Sequence, residues 1–230
     1  MSDIVPASVE AVRRVREDPH RLGHRGHGEG APVMGAGHGE TGPANSRIIV
    51  GYGFWIFLLS DIVMFSAFFA AYAVLMNATA GGPTGRELFE LPRVAIETGC
   101  LLLSSFVCGL SFAASVAKNR LWTQIFLLIT GLLGATFLYL EIDEFIGFAA
   151  QGATPQRSAF LSAFFSLVGL HGAHVFVGLL WLGTMMAQVQ AKGFSRMVQH
   201  RLLCFNLFWH ALDIIWVALF TVVYLMGAAT

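Results

Sequence analysis

Eight ionisable side chains stand inside stretches that are otherwise apolar: Asp61, Glu97, Glu141, Glu144, His171, His174, His210 and Asp213. Three pairs are spaced by three residues, Glu141/Glu144, His171/His174 and His210/Asp213, so on a helix each pair shares a face. Carboxyls and imidazoles grouped in this way can do three things. They can pair across helices and fix the register of a bundle. They can ligate metal, because ExxE and HxxH spacings superficially resemble carboxylate-bridged di-metal bundles. They can pass protons, since acids sunk in a membrane often mark a proton path.

The elements that must position them come from the apolar runs. The stretch Ser158–Val189 contains no Lys, Arg, Asp or Glu, yet holds His171 and His174 near its middle. A bilayer crossing takes about 20 apolar residues. Five such spans are expected, at about 48–76, 94–117, 121–149, 158–190 and 202–227. The chain of 230 residues is 56% hydrophobic and 12% charged. A soluble domain would carry about 25% charge, so the fold class is all-α, a polytopic membrane protein with a five-helix bundle. Zero net charge points to no nucleic-acid partner. Cys100, Cys108 and Cys204 lie in apolar runs without CxxC spacing and read as small hydrophobes.

Residues 1–47 are rich in Gly, Pro, Arg and His and lack apolar periodicity. They read as a polar tail, mostly disordered, with a short helix near Ala7–Glu17. Its histidines, His20, His24, His27 and His38, are irregularly spaced and read as solvated. No signal peptide is apparent, so the first helix is expected to insert as an internal anchor. Eleven Lys and Arg fall on the side of the N-terminal tail, against Arg86, Arg93 and Arg157 on the other. The positive-inside rule then places the N-terminus in the cytoplasm and, after five crossings, the C-terminus outside.

With a rise of 1.5 Å per residue, Asp61, Asp213 and His174 form a middle group at depths of about 18–24 Å. Glu97, Glu141, Glu144 and His171 form an outer group beyond about 28 Å. The ExxE and HxxD pairs are then separated by more than about 10 Å along the membrane normal, whereas metal ligands need one depth. The spans as drawn hold no Lys or Arg, so each acid must be protonated, hydrogen-bonded or in contact with water. All seven prolines fall outside the spans, and neither inverted repeats nor broken helices of the transporter type are visible. Trp55, Trp122 and Trp181 read as interface anchors, with Trp209 and Trp216 deeper. No catalytic residue and no metal ligand is assigned.

LLSDIVMFSAFFAAY (58–72), FELPRVAIETGCLLLSS (89–105), LEIDEF (140–145), SAFFSLVGLHGAHVFVGLLWL (162–182) and LFWHALDIIWVALFTVVYLMG (207–227) together resemble subunit III of the haem-copper terminal oxidases. The resemblance covers nearly everything after residue 50, and is nearest to the bo-type ubiquinol oxidase branch, which has five spans behind a cytoplasmic tail. It implies a non-catalytic subunit of a proton-pumping ubiquinol oxidase in the bacterial inner membrane. Haems and copper would sit in subunit I, with none in this chain. Subunits I, II and IV would be partners, chiefly subunit I, together with membrane lipids, bound phospholipid among them. Asp61 stands where relatives have a membrane-embedded Glu, and Gln188 where some have a lipid-facing Arg. Glu97, Glu141, His171, His174, His210 and Asp213 fall on matching motif positions and read as the polar core. The alternatives are subunit III of a cytochrome c oxidase or nitric-oxide-reductase-like complex, and a stand-alone proton or solute transporter.

Overall fold

Long apolar runs in a chain with few internal breakers become helices, because a backbone in hydrocarbon must satisfy its own hydrogen bonds. The computed structural model describes residues 46–81 and 91–229. In it α1 is Ser46–Leu75, α2 Leu91–Val116, α3 Arg120–Ala150, α4 Ala159–Lys192 and α5 Arg196–Leu219. Helix α5 runs on through a π-helical turn, Phe220–Leu225, into a last turn, Met226–Ala229. All five helices are long and apolar enough to cross a membrane. The expectations for the tail, including a helix near Ala7–Glu17, lie outside the described residues.

Three starts are set by side-chain caps. Asn119 accepts from the Trp122 amide at 3.3 Å, Ser158 from Leu161 at 3.2 Å and Ser195 from Val198 at 3.3 Å. Each satisfies one amide that the first helical turn leaves without a partner. The Ser195 cap corrects the expected fifth span: the helix begins at Arg196, not near 202. Only Gly193–Ser195 separates α4 from α5, and Gly193 makes that corner at φ +60°. The charged residues Arg196 and Arg201 therefore ride on the first turns of α5 rather than in a loop. Helix α2 likewise starts earlier than expected, at Leu91, which brings Pro92 and Arg93 into its first turn. Proline fits there because the amide it lacks has no helical partner at that position.

Helices α2 and α3 form an antiparallel hairpin, α3 packs on α4, α4 on α5, and α5 returns to α2. These four close a ring, and α1 lies against α4 and α5. Only 11% of the apolar window of α1 is buried, against 50% for α5, so α1 is peripheral and α5 central. The contact stripe of α1 is Leu58, Phe65 and Tyr72, seven residues apart, as a left-handed helix seam requires. Glycine allows close approach inside the ring. Gly134 of α3 and Gly178 of α4 grip the Trp209 indole of α5, and a Cβ added at either would lie 2.9 Å from that ring.

This clasp yields a test with an internal control. Gly178→Ala and Gly134→Ala should each cost about 1–3 kcal/mol, the usual penalty of overpacking. Gly183, on the open side of α4, has nothing within 4 Å of an added Cβ. Gly183→Ala should melt with the parent in thermal unfolding, and the two clasp variants should melt lower.

Candidate functional site

One face of α2 repeats at intervals of three and four: Val94, Glu97, Thr98, Leu101, Ser104, Ser105, Cys108, Ser111 and Ser115 are buried. Its small hydroxyl residues let α5 come close and supply oxygen acceptors along the way. The Trp216 indole N–H donates to Thr98 Oγ1 at 3.0 Å, and Trp209 donates to Ser104 Oγ at 3.0 Å. Ser105 Oγ lies 2.6 Å from His210 Nδ1, and Asn206 Nδ2 lies 3.9 Å from Cys108 Sγ. The partners advance along α2 as they retreat along α5, as antiparallel helices demand. The hydroxyl protons are used as well: Thr98 donates to the Val94 carbonyl and Ser104 to the Leu101 carbonyl. The Asp213 carboxyl lies near Ser105, while Asn206 Nδ2 sits 3.4 Å from His210 Nε2. Asp213, Ser105, His210 and Asn206 thus form one polar string between the two helices.

A second polar group gathers where α2 begins and α3 ends. Glu97, Glu141 and Glu144 are 0%, 2% and 4% exposed and lie near enough to interact electrostatically. The π-helical turn of α5 delivers Tyr224, whose hydroxyl donates to Glu144 Oε2 at 3.1 Å. The same turn exposes the Val223 carbonyl to the Tyr72 hydroxyl of α1 at 3.3 Å. A π turn widens the helix locally and shifts the face on which the next residues emerge. Glu141 rests against the Gly172 backbone of α4, where an added Cβ would lie 2.8 Å from Oε1.

The expectation that the spans hold no cation is corrected here. Arg93 belongs to α2, and its guanidinium donates to Asp143 Oδ2 at 2.6 Å and to the Leu140 carbonyl at 3.0 Å. Its Nε lies 3.7 Å from Glu97 Oε1. The i,i+4 spacing of Arg93 and Glu97 was the available signal, hidden by ending the loop at Arg93.

The eight candidates do not form one network. Glu97, Glu141 and Glu144 come together, and His210 joins Asp213 through Ser105. His174 bonds the Leu170 carbonyl through Nδ1 at 2.8 Å and packs 5.2 Å from the Phe65 ring. His171 is fully buried among Trp216, Phe137 and Phe65, with ring centroids at 5.1, 5.8 and 6.4 Å. Asp61 is half-buried on the bundle-facing stripe of α1, and among the described residues no hydrogen bond or ion pair reaches its carboxyl. No three His, Cys, Asp or Glu side chains among the described residues gather as a metal-binding set. Trp181 is packed against Phe54, Phe205 and Phe208 rather than standing free as an anchor. The roles of Thr98, Ser104, Ser105, Asn206, Tyr72 and Tyr224 were not read from sequence. The hydroxyl stripe on α2, at helical spacing, could have shown half of them.

Residues 36–228 match the family profile of cytochrome c oxidase subunit III. The chain is 50% identical over 177 residues to the cytochrome bo(3) ubiquinol oxidase subunit 3 of Pseudomonas aeruginosa, covering 77% of this chain and 85% of the relative. It is 46% identical to the Pseudomonas putida protein of the same description, over 76% of this chain and 84% of the relative. It is 43% identical over 188 residues to quinol oxidase subunit 3 of Bacillus subtilis, covering 82% and 90%.

Among the described residues Arg93 is the cation paired with the buried carboxyls, whereas its partner Asp143 is 55% exposed. Arg93→Met should therefore destabilise the fold by about 1–3 kcal/mol, short of the full penalty for breaking a wholly buried pair because Arg93 is itself partly exposed. Asp143→Asn should stay within about 1 kcal/mol, as exposed ion pairs do. Equilibrium unfolding of the two variants side by side measures the difference.

Proposed function

The chain belongs to the cytochrome c oxidase subunit III family, and from that premise we propose that it is the third subunit of a ubiquinol oxidase in a bacterial respiratory chain. The complex oxidises ubiquinol and reduces oxygen to water, and this chain is an accessory subunit that carries no redox centre. The carrying observation is the 50% identity to a ubiquinol oxidase subunit over most of both chains. Haems and copper belong to subunit I in this reading, and subunits I, II and IV are the partners.

The mechanism is mechanical. Charged and polar side chains inside the bilayer must be satisfied within protein. Glu97, Glu141, Glu144, His171, His210 and Asp213 form the polar core between α2, α3, α4 and α5, while His174, packed on Phe65, and Asp61 line the side that α1 closes. Apolar side chains exposed on α1, such as Ile56, Val63 and Val74, are left to lipid and to the catalytic subunit. The Lys and Arg bias supports a cytoplasmic N-terminus and a periplasmic C-terminus.

Two measurements test this. A complex purified through a tag on this chain should contain haem and consume oxygen with ubiquinol as donor. Oxygen uptake with reduced cytochrome c alone, or a tagged chain that migrates without haem, would overturn the reading. Asp213→Leu or His174→Leu should lower the yield of assembled complex several-fold while leaving the haem spectrum of what does assemble unchanged. Normal assembly with normal sustained turnover would remove the polar core from the account.

A further inference from the structure

Six buried side-chain atoms around the carboxyl group have no hydrogen-bond partner among the described residues: Arg93 Nε, both oxygens of Glu97, Glu141 Oε2, and both ring nitrogens of His171. They come from three different helices, α2, α3 and α4. Glu97 and His171 are each 0% exposed, so neither can be satisfied by solvent at the protein surface. The residues that carry these atoms are linked through packed neighbours. Glu141 touches Gly172, the residue after His171. The His171 ring packs on Trp216, and Trp216 bonds to Thr98, the residue after Glu97. Phe137, one turn before Glu141, packs edge-on to both Trp216 and His171.

Leaving such atoms bare costs roughly 1–3 kcal/mol each, too much for six to be tolerated together in a marginally stable fold. Direct protein contacts do not serve them. Arg93 Nε and Glu97 Oε1, 3.7 Å apart, fall short of a hydrogen bond yet face each other. They attract as an ion pair, and a water lying to one side of them would hydrogen-bond to both. No three acid, histidine or cysteine side chains among the described residues stand in a metal-binding arrangement.

We propose that these atoms border one internal water site, in which water molecules bridge Arg93, Glu97 and Glu141 to His171. A buried water makes about three hydrogen bonds, so six atoms correspond to about two waters. The site joins the carboxyl group of α2 and α3 to the histidine of α4, which protein contacts alone leave apart. It also accounts for why His171, surrounded by aromatic rings, is a histidine rather than another phenylalanine. The inference concerns the chain itself and stands whether the electron donor of the complex is quinol or cytochrome c.

The test is a high-resolution cryo-EM map of the assembled complex, with infrared difference spectra recorded in H2-16O and H2-18O. About two ordered densities are expected within hydrogen-bond distance of Glu97, Glu141 and His171, together with isotope-sensitive bands from isolated water. Glu97→Leu should erase the density beside Arg93, and His171→Phe the one beside the ring. A map in which Glu97 and His171 bond directly to protein atoms, with no density between, would overturn the proposal. So would density with the coordination distances of a metal ion. If a variant fails to assemble, the parent map and its isotope shift decide alone.

Discussion

The hydrogen bonds between the hydroxyl stripe of α2 and the indoles and imidazole of α5 are the constraint on which the bundle depends. In hydrocarbon the hydrophobic effect gives helices no reason to associate, since lipid tails are as apolar as leucine. What remains is close packing and polar contact, and α2 and α5 use both. Trp209 is the place where the two meet. Its N–H is held by Ser104, while its ring fills the space left by two glycines on α3 and α4. One side chain thereby ties α5 to the three other members of the ring.

That arrangement explains the unequal status of the helices. Helix α5 is central because its aromatic side chains are the objects the others grip. Helix α1 touches the ring along a single stripe and shows lipid or a neighbouring subunit the rest of its surface. The polar group at the start of α2 has a different character. Among the described residues its three buried glutamates face one arginine, already committed to Asp143 and the Leu140 carbonyl. Hydroxyls satisfy one another along the seam, but carboxyls gathered here need further partners. The π-helical turn that brings Tyr224 to Glu144 is one of them.

The five helices were legible because the requirement for internally satisfied backbone leaves long apolar runs one outcome. Their ends were less so. Arg93 and Arg196 looked like loop residues by charge, although a helix can extend past the bilayer and keep its charged residues on its outermost turns. Drawing the spans by hydropathy therefore detached Arg93 from Glu97, and with it the cation of the carboxyl group. Pairing was still harder to read. The depth of Asp61 and Asp213 along their helices is similar, which suggested a shared middle group. Yet Asp213 turns to Ser105 on α2, and Asp61 lies on the stripe of α1 that faces the ring. Depth follows from counting residues, but azimuth depends on which helix packs on which.

By itself the sequence determined the all-helical class, the number of spans and, through its motifs, the family. These follow from composition and from one-dimensional spacing, which hydrocarbon reads directly. The ring order of the helices, the clasp on Trp209, the tyrosine supplied by the π turn and the place of Arg93 were decided only in three dimensions. Each requires side chains far apart in the chain to meet at one height and one angle, and that angle is set by packing, which no spacing along a single helix records.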